Sequence, residues 1–277
     1  TLHKKTSTLT CHYCGYTTRI PERCPACEED KFTDIGTGTE KVEEQIAHLF
    51  EGITTLRMDL DTATTRTQFE RIISDFSEHK ADILIGTQMV TKGLDFDHVS
   101  VVGILDADTM LNLPDFRSYE RTFQTLSQVA GRAGRNNTAG HVILQTRSAE
   151  SDIIRQITQG DYWQMFYTQM TERQLFHYPP FRRLIYVYLR HKDDELLEHL
   201  ASDMAERLRQ IFGERVLGPD RPPIARLHSL YIRKIMLKIE RQTSTEKVRK
   251  NLIAIQQQML SLPVAKNLNI YYDVDPL

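Results

Sequence analysis

The sequence predicts an α/β protein, in which a parallel sheet lies between helices and a smaller α+β domain follows. Three observations support this prediction. Short apolar strands alternate with amphipathic helical patterns between residues 34 and 174. The strand at residues 83–85 is wholly apolar, as expected where helices cover a parallel sheet on both faces. All four cysteines fall within the first 27 residues, ahead of this alternating pattern.

The pattern changes after Tyr178-Pro179-Pro180, which interrupts the preceding helix. The predicted strands and helices that follow are a strand at 184–190, a helix at 195–212, a strand at 231–239, a helix at 245–262 and a strand at 268–274. The second of these helices carries an apolar stripe that we expect to be buried: Val248, Leu252, Ile255, Met259 and Leu262. If residues 215–217 add a short strand, the order becomes βαββαβ, which is the split βαβ or ferredoxin-like arrangement. We therefore predict three regions: a small cysteine-rich region at 1–33, an α/β lobe at 34–174 and a ferredoxin-like domain at 175–277.

Composition and charge narrow the classes of function. No run of eighteen apolar residues occurs, so we expect no membrane span. The chain begins with Thr1 and shows no signal-peptide pattern, which leads us to expect a piece of a longer protein. Residues 1–174 contain 18 Lys/Arg and 25 Asp/Glu, whereas residues 175–277 contain 17 and 12. The C-terminal part is thus the better candidate for binding phosphates, although an ordinary charged surface also fits.

The cysteines form two CxxC pairs with nine residues between them. This spacing is typical of a closed, tetrahedral structural zinc site with four thiolate ligands. Free reduced thiols are the alternative. The predicted metal ligands are Cys11, Cys14, Cys24 and Cys27.

The most specific motif is QVAGRAGR at residues 128–135, at the end of a predicted helix. Its two glycines allow close backbone approach, and Arg132 and Arg135 are spaced to point at one phosphate group. The planar, permanently charged guanidinium binds phosphate oxygens in a bidentate manner and can act as an arginine finger on ATP. Taken alone, the same letters also fit two solvent-exposed arginines on a glycine-rich helix end.

A second segment, ILIGTQMVTKGLDF at residues 83–96, runs from a buried strand into a polar loop. Ligands of open α/β sheets gather at such strand ends. Together the two segments resemble motifs V and VI of superfamily-2 helicases. Further segments resemble the PriA family of replication-restart helicases: GTGTE at 36–40, DAD at 106–108, DFRS at 115–118, ER at 120–121 and DVDP at 273–276.

The resemblance implies roles for particular residues. Gln128, Arg132 and Arg135 would face a nucleotide bound to the first motor lobe. Gly93 and Asp95 would lie near the ribose and the catalytic water. Contacts with the DNA backbone, independent of base sequence, would come from Thr37, Thr39, Thr87 and Lys92.

For the C-terminal domain, the resemblance implies a ferredoxin-like domain that helps to bind replication forks and the acidic tail of single-strand binding protein. Residues 215–250 contain ten Lys/Arg and three acidic residues. Among them we name Arg233 and Lys234 as DNA-binding candidates. An ordinary exposed strand face is the alternative for each.

We also expect the helical aromatic cluster around Trp163 and Tyr167 to be core.

The resemblance further implies a bacterial, cytoplasmic, nucleoid-associated helicase that uses ATP and Mg²⁺. Its partners would be branched or single-stranded DNA, single-strand binding protein and other primosome proteins, with no membrane. It would recognise stalled or branched forks and restart replication by primosome assembly. The chain carries neither a GxxxxGK[ST] phosphate loop nor a DEAD-like acidic strand end. We therefore expect it to have no ATPase activity by itself.

The resemblance also alters the zinc interpretation. Members of the family carry eight cysteines in four interleaved pairs that bind two zinc ions. The two pairs present here would then be halves of different sites. Recombination around one zinc, disorder and oxidation are the alternatives for them, and we expect recombination around one zinc.

Two other functions stay open. One is a zinc-containing module that binds DNA or proteins and has no motor role. The other is a different superfamily-2 helicase, RecQ-like or DEAD-box.

Overall fold

The structure is a computed structural model that describes residues 2–3, 8–10, 17–19, 21, 23, 38–91, 96, 98–131, 133–134 and 140–276. The chain divides into two compact units. We call Phe32–Gln169 the middle unit, and Thr1–Lys31 together with Met170–Leu277 the C-terminal unit. The domain boundaries predicted from the sequence stay a prediction. None of the helices in the described ranges is long and apolar enough to cross a membrane.

The middle unit alternates strands and helices. Its strands are β4 (Thr55–Met58), β5 (Ile83–Gly86), β6 (Val101–Ile104) and β7 (His141–Leu144). Its helices are α1 (Thr39–Leu49), α2 (Arg66–Ser77), α3 (Asp108–Leu111), α4 (Ser118–Ala130), α5 (Asp152–Gln159) and the first half of α6 (Tyr162–Leu175). A 3₁₀ turn, Gln88–Thr91, follows β5. Helix α2 begins with a capping box, in which Thr65 and Gln68 exchange side-chain and backbone hydrogen bonds.

The strands of the middle unit form two parallel pairs, β4 with β5 and β6 with β7. Among the described residues these pairs are separate two-stranded sheets. The prediction of parallel strands between helices is confirmed, but the described part of the chain does not form one continuous sheet. One core cluster gathers α2 side chains around Met58 and Phe96. A second cluster contains Leu111, Phe123, Ile153, Ile154 and Met165.

The C-terminal unit begins with a small antiparallel sheet of β1 (Leu2–His3), β2 (Thr8–Thr10) and β3 (Thr17–Arg19). After α6 its main elements are β8 (Arg182–His191), α7 (Asp194–Phe212), β9 (Val216–Asp220), β10 (Arg226–Leu227), β11 (Leu230–Glu240), α8 (Thr245–Leu260) and β12 (Asn269–Val274). Short 3₁₀ turns lie at Gly213–Arg215 and Pro263–Ala265.

The main sheet of the C-terminal unit has the order β12-β8-β11-β10, and β9 also pairs with β11. Every pairing is antiparallel. Apart from the short β10, the order of elements is βαββαβ, and the split βαβ prediction is confirmed. Helices α7 and α8 pack on one face of the sheet. Of the predicted stripe, Val248, Leu252, Ile255 and Met259 are buried there, and Leu262, just past α8, is partly buried against the same core.

The expected burial of the cluster on α6 is wrong for Trp163 and Tyr167, whereas Phe166 and Met170, which share their helical spacing, are partly buried. The exposed fractions of Trp163 and Tyr167 are 63% and 61%, respectively. The buried side of this helix instead carries Met165 and Gln169. Helical spacing groups these side chains but does not say which side of the helix meets the core.

Candidate functional site

The ends of β4 and β5 bring the predicted DNA-binding residue Thr87 close to the loop that follows β4. In this parallel pair Met58 lies opposite Gly86, so the strands end side by side. Asp59 follows the first strand and Thr87 follows the second. We call this region the strand-end edge. Carboxyl ends of parallel strands are where α/β proteins bind ligands, because successive loops meet there.

Asp59 organises the strand-end edge. Its side chain is 6% exposed and accepts hydrogen bonds from the hydroxyl of Thr39 at 2.5 Å and from the backbone N–H groups of Asp61 and Thr62 at 3.0 and 2.9 Å. The guanidinium Nε of Arg57 lies 3.0 Å from its Oδ2. Burial by itself raises the pKa of Asp59, but the hydrogen bonds from Thr39, Thr62 and Asp61 outweigh burial and lower it. The carboxylate is therefore held in its charged form.

Thr39 is the first residue of α1, which follows Gly38 at its N-cap. Because its hydroxyl donates to Asp59, it ties the start of this helix to the loop after β4. Glu43, one turn further along, accepts a 3.2 Å hydrogen bond from Thr55 and pairs with Arg57. The hydroxyl of Thr39 therefore donates its proton to Asp59 in this structure, and it would have to leave Asp59 to donate to a DNA phosphate. A DNA contact by Thr39 stays a prediction.

The turn after β5 is packed closely against the end of β4. A Cβ atom built on Gly86 would lie 2.0 Å from Cγ2 of Val90 and 2.8 Å from the carbonyl oxygen of Met58. Glycine therefore permits the chain to fold back into the 3₁₀ turn, where the N–H of Val90 donates to the carbonyl of Thr87. Thr87 itself is exposed at the strand-end edge, as a residue that binds DNA must be.

Helix α4, which contains Gln128, lies next to this region. The helix packs against the 3₁₀ turn and β6, and Gln128 is exposed near its C-terminal end. Beyond the helix, Gly134 has a positive φ of 77° and donates its N–H to the carbonyl of Val99 at 3.0 Å. A Cβ atom on Gly140 would lie 2.3 Å from the backbone of Gly134. Both ends of the loop after α4 are thus held beside β6.

In the C-terminal unit, Arg233 and Lys234 point in opposite directions. They are neighbours on β11, and side chains alternate between the two faces of a strand. Arg233 faces the helices, is 1% exposed, and donates to Asp194 at 2.5 Å and Glu198 at 2.6 Å on α7. Lys234 lies on the other face, with its ammonium 4.7 Å from the ring centroid of Tyr186.

This geometry disfavours Arg233 as a DNA contact. A buried guanidinium with two carboxylate partners would have to break both ion pairs to reach a phosphate. Lys234 is compatible with DNA binding, which stays a prediction for both residues.

Comparisons with known proteins agree with this architecture. Residues 31–137 match the helicase conserved C-terminal domain, and residues 174–277 match the primosomal protein N C-terminal domain. The replication restart protein PriA of Bacillus subtilis is 37% identical over 278 residues, covering 100% of this chain and 34% of the relative. The chain belongs to the PriA family.

Other PriA relatives match to a similar extent. The protein of Rickettsia conorii is 32% identical over 99% of the chain and 42% of the relative, and that of Treponema pallidum is 36% identical over 86% and 36%. The chain thus spans only about a third to two fifths of the length of these curated relatives. It is a helicase-type, replication-restart family member that corresponds to their C-terminal part.

Several site residues predicted for this PriA-family chain lie outside the described residues. They are Thr37, Lys92, Gly93, Asp95, Arg132, Arg135 and the four cysteines Cys11, Cys14, Cys24 and Cys27. Their roles stay predictions. The neighbouring structure bears on one pair of cysteines: β2 and β3 are antiparallel with Thr10 opposite Thr17, so the two ends of the segment that holds Cys11 and Cys14 lie close together.

Sequence reasoning missed two features of this PriA-family chain. Asp59 carried no motif, and only its position directly after a strand could have indicated it. Tyrosines at 186 and 188 and an arginine at 190 alternate along β8, and this alternation predicts an aromatic and basic face.

Proposed function

We propose that the chain is the second motor lobe and C-terminal domain of an ATP-dependent DNA helicase. The whole protein recognises stalled or branched replication forks and restarts replication by primosome assembly. Its partners are branched or single-stranded DNA, single-strand binding protein and other primosome proteins. The observation that carries this proposal is the strand-end edge, where β4 and β5 end side by side, Thr39 is hydrogen-bonded to Asp59 after β4 and Thr87 follows β5, while α4, the helix of Gln128, packs against the turn after β5.

The proposed division of labour follows from chemistry. ATP and Mg²⁺ need a phosphate loop and an acidic strand end, neither of which occurs in this sequence. The chain contributes Arg132 and Arg135 to a nucleotide held by the first lobe, with Gly93 and Asp95 near its ribose and catalytic water. Such arginines stabilise the charge that develops on the transferred phosphoryl group, which can account for about 10³- to 10⁵-fold in rate.

The test is reconstitution. The N-terminal portion of the Bacillus subtilis relative, which supplies what this chain lacks, is mixed with the chain, and fork-DNA-stimulated ATP hydrolysis is measured. We expect no turnover from the chain alone, turnover from the mixture, and a loss of at least about 10³-fold with Arg135→Ala. Arg66→Ala is the matched control, since Arg66 pairs with Glu70 on the exposed surface of α2.

Each alternative function has its own outcome. Turnover of the mixture that is indifferent to Arg135→Ala would favour a binding module and refute the motor role. Turnover stimulated by duplex RNA rather than by forked DNA would favour a DEAD-box relative instead.

Zinc is proposed as a structural cofactor with Cys11, Cys14, Cys24 and Cys27 as ligands. Four thiolates in two CxxC pairs fit one tetrahedral ion and leave no open coordination position. We expect one zinc per chain in protein kept reduced, and loss of most of the metal in Cys24→Ser. Two zinc ions per chain, or none under reducing conditions, would contradict this assignment.

A further inference from the structure

Asp59 is a buried carboxylate to which the proposed motor function assigns no role. A buried charge is costly unless several partners stabilise it, and here the partners come from different segments. The carboxylate accepts from the hydroxyl of Thr39, at the start of α1, at 2.5 Å, and from the backbone N–H groups of Asp61 and Thr62 at 3.0 and 2.9 Å. The Nε of Arg57, on β4, lies 3.0 Å from its Oδ2. One side chain thus joins the start of α1, the end of β4 and the loop after it.

The loop at Asp59 is itself fixed to the end of the parallel strand pair. The hydroxyl of Thr62 accepts from the N–H of Asp59 at 3.0 Å and donates to a carbonyl of β4 at 2.9 Å. Met58, directly before Asp59, lies opposite Gly86, and a Cβ atom built on Gly86 would lie 2.8 Å from the carbonyl oxygen of Met58. Thr87 follows Gly86 in the chain. The carboxylate therefore has a defined position relative to Thr87.

Helix α1 depends on this carboxylate for its position. None of its residues is buried, and its N-cap is a glycine, which has no side chain to accept from the first N–H groups. Polar ties hold the helix instead, from Thr39 to Asp59 and from Glu43 to residues of β4. Elements with little buried apolar surface are the ones that open at low cost in free energy. Loss of the tie at Thr39 should therefore let the start of α1 move.

The hydroxyl of Thr39 is suited to this tie and poorly suited to touch DNA. A threonine hydroxyl has one proton to donate, and in Thr39 that proton goes to Asp59. A phosphate oxygen is also an acceptor, so Thr39 cannot donate to DNA without leaving the carboxylate. The negative charge of Asp59, 2.5 Å from the hydroxyl oxygen, also repels a phosphate at the same place.

We propose that Asp59 is a positioning residue for the DNA grip: through Thr39, it sets the distance between the start of α1 and Thr87. Both segments are predicted to hold the DNA backbone, whose phosphates are regularly spaced along a strand. Two segments that hold one strand must keep a fixed separation, and a binding site loses affinity when its supporting residues let it shift. In this proposal Thr39 is the partner of Asp59 and does not contact DNA. The inference rests on the proposed motor function and gives a role to a residue that no motif marks.

The experiment measures ATP hydrolysis by the chain mixed with the N-terminal portion of the Bacillus subtilis relative, as a function of forked-DNA concentration. It yields kcat and the DNA concentration that gives half the maximal rate. Fluorescence anisotropy measures binding of the same DNA to the chain alone. Asp59→Asn keeps the shape of the side chain, but its amide nitrogen cannot accept the proton of Thr39. Thr39→Val removes the hydroxyl and keeps the shape, whereas Thr39→Ser keeps the hydroxyl.

A second threonine–aspartate pair provides the matched control. Thr54 directly precedes β4 and donates to the carboxylate of Asp82, which directly precedes β5, at 2.8 Å from its hydroxyl and 2.9 Å from its N–H. This pair lies at the opposite ends of the same two strands, away from the strand-end edge. Thr54→Val and Asp82→Asn therefore remove the same kind of hydrogen bond from the same unit without changing the proposed grip. Circular dichroism establishes that each variant is folded.

We expect Asp59→Asn and Thr39→Val each to raise the half-maximal DNA concentration by about 10- to 100-fold. The value of kcat should change by less than about twofold, because saturating DNA restores the grip. The double variant should be no worse than either single variant, since both changes remove the same hydrogen bond. Thr39→Ser and the two control variants should stay within about twofold of the wild type in both quantities.

A direct phosphate contact by Thr39 gives the opposite result for Asp59→Asn, because that change frees the hydroxyl and removes a negative charge. Loss with Thr39→Val, together with an Asp59→Asn variant equal to or better than the wild type, would therefore overturn the proposal. Equal half-maximal concentrations in all variants would do so as well.

Two further outcomes are distinguishable. If Asp59→Asn fails to fold, amide hydrogen exchange in DNA-free Thr39→Val decides the matter: faster exchange in α1 supports the tie, and unchanged exchange refutes it. A mixture without DNA-stimulated turnover would refute the motor role, and the anisotropy series on the chain alone would still test the order of affinities expected for Asp59→Asn, Thr39→Val and Thr39→Ser.

Discussion

Replacing Gly86 with alanine tests whether the close turn at the strand-end edge is under the constraint that its geometry indicates. The added methyl group would lie 2.0 Å from Cγ2 of Val90 and 2.8 Å from the carbonyl oxygen of Met58. Val90 packs against the core cluster around Met58, so it has little room to retreat. Crowding of this kind costs about 1–3 kcal/mol. We expect Gly86→Ala to lower the free energy of unfolding of the middle unit by about that amount.

Gly103→Ala is the matched control. Gly103 also lies in a short parallel strand of the middle unit, but no atom lies within 4 Å of a Cβ built there. Alanine should therefore gain about 0.5–1 kcal/mol from the lower entropy of the unfolded chain.

Urea unfolding followed by the fluorescence of Trp163 provides the assay, because this only tryptophan belongs to the middle unit. With a denaturant slope of about 2 kcal/mol/M, the two midpoints should differ by about 0.8–2 M. Equal midpoints for Gly86→Ala and Gly103→Ala would refute the steric argument.

Three further changes test other contacts. Burial by itself raises the pKa of Glu240, but its two arginine partners lower it to about 2. The ionised carboxylate therefore stabilises the folded state above the unfolded pKa near 4.5, and this stability is lost as pH falls toward 2. Glu240→Gln should therefore lose about 1–2 kcal/mol at pH 7 and much less at pH 2 in urea titrations. Arg233→Ala should destabilise the C-terminal unit by about 2–4 kcal/mol while Lys234→Ala leaves thermal stability within about 0.5 kcal/mol, and equal losses would contradict the assignment of opposite faces. Thr39→Val should raise the pKa of Asp59 and shift acid unfolding of the middle unit to higher pH, and unchanged acid unfolding would show that this hydrogen bond contributes nothing.

Local periodicity was sufficient to predict the βαββαβ elements of the C-terminal unit. Each of its helices and long strands has an uninterrupted pattern, and the βαββαβ order leaves few ways to form one antiparallel sheet. The α8 stripe at Val248, Leu252, Ile255 and Met259 was predicted for the same reason. In the middle unit the strand predicted at residues 83–85 is present as β5, but which strands share a sheet depends on pairings between distant segments, and periodicity does not contain that information.

For the site residues too, local patterns predict some features, and pairings between distant segments decide the others. The alternation along β11 already separates Arg233 from Lys234, since Arg233 shares its parity with the buried Ile235 and Leu237. Naming both as DNA contacts overlooked a signal that was present in the sequence. The stacking of the Tyr188 ring on the Tyr271 ring, with centroids 4.9 Å apart, was different, because it depends on the register between β8 and β12. No local pattern reports a contact between residues so far apart in the chain.

The closeness of Gly134 and Gly140 affects how far the segment between them can change in length. Because both ends of the loop are already held together beside β6, the entropic cost of closing it is largely met by the surrounding fold. Doubling the length of such a closed loop adds only about 0.6 kcal/mol. Insertions between these glycines should therefore be tolerated, whereas a deletion would pull on Gly134 and on the end of α4. A small peptide tag could accordingly be introduced here without unfolding the middle unit.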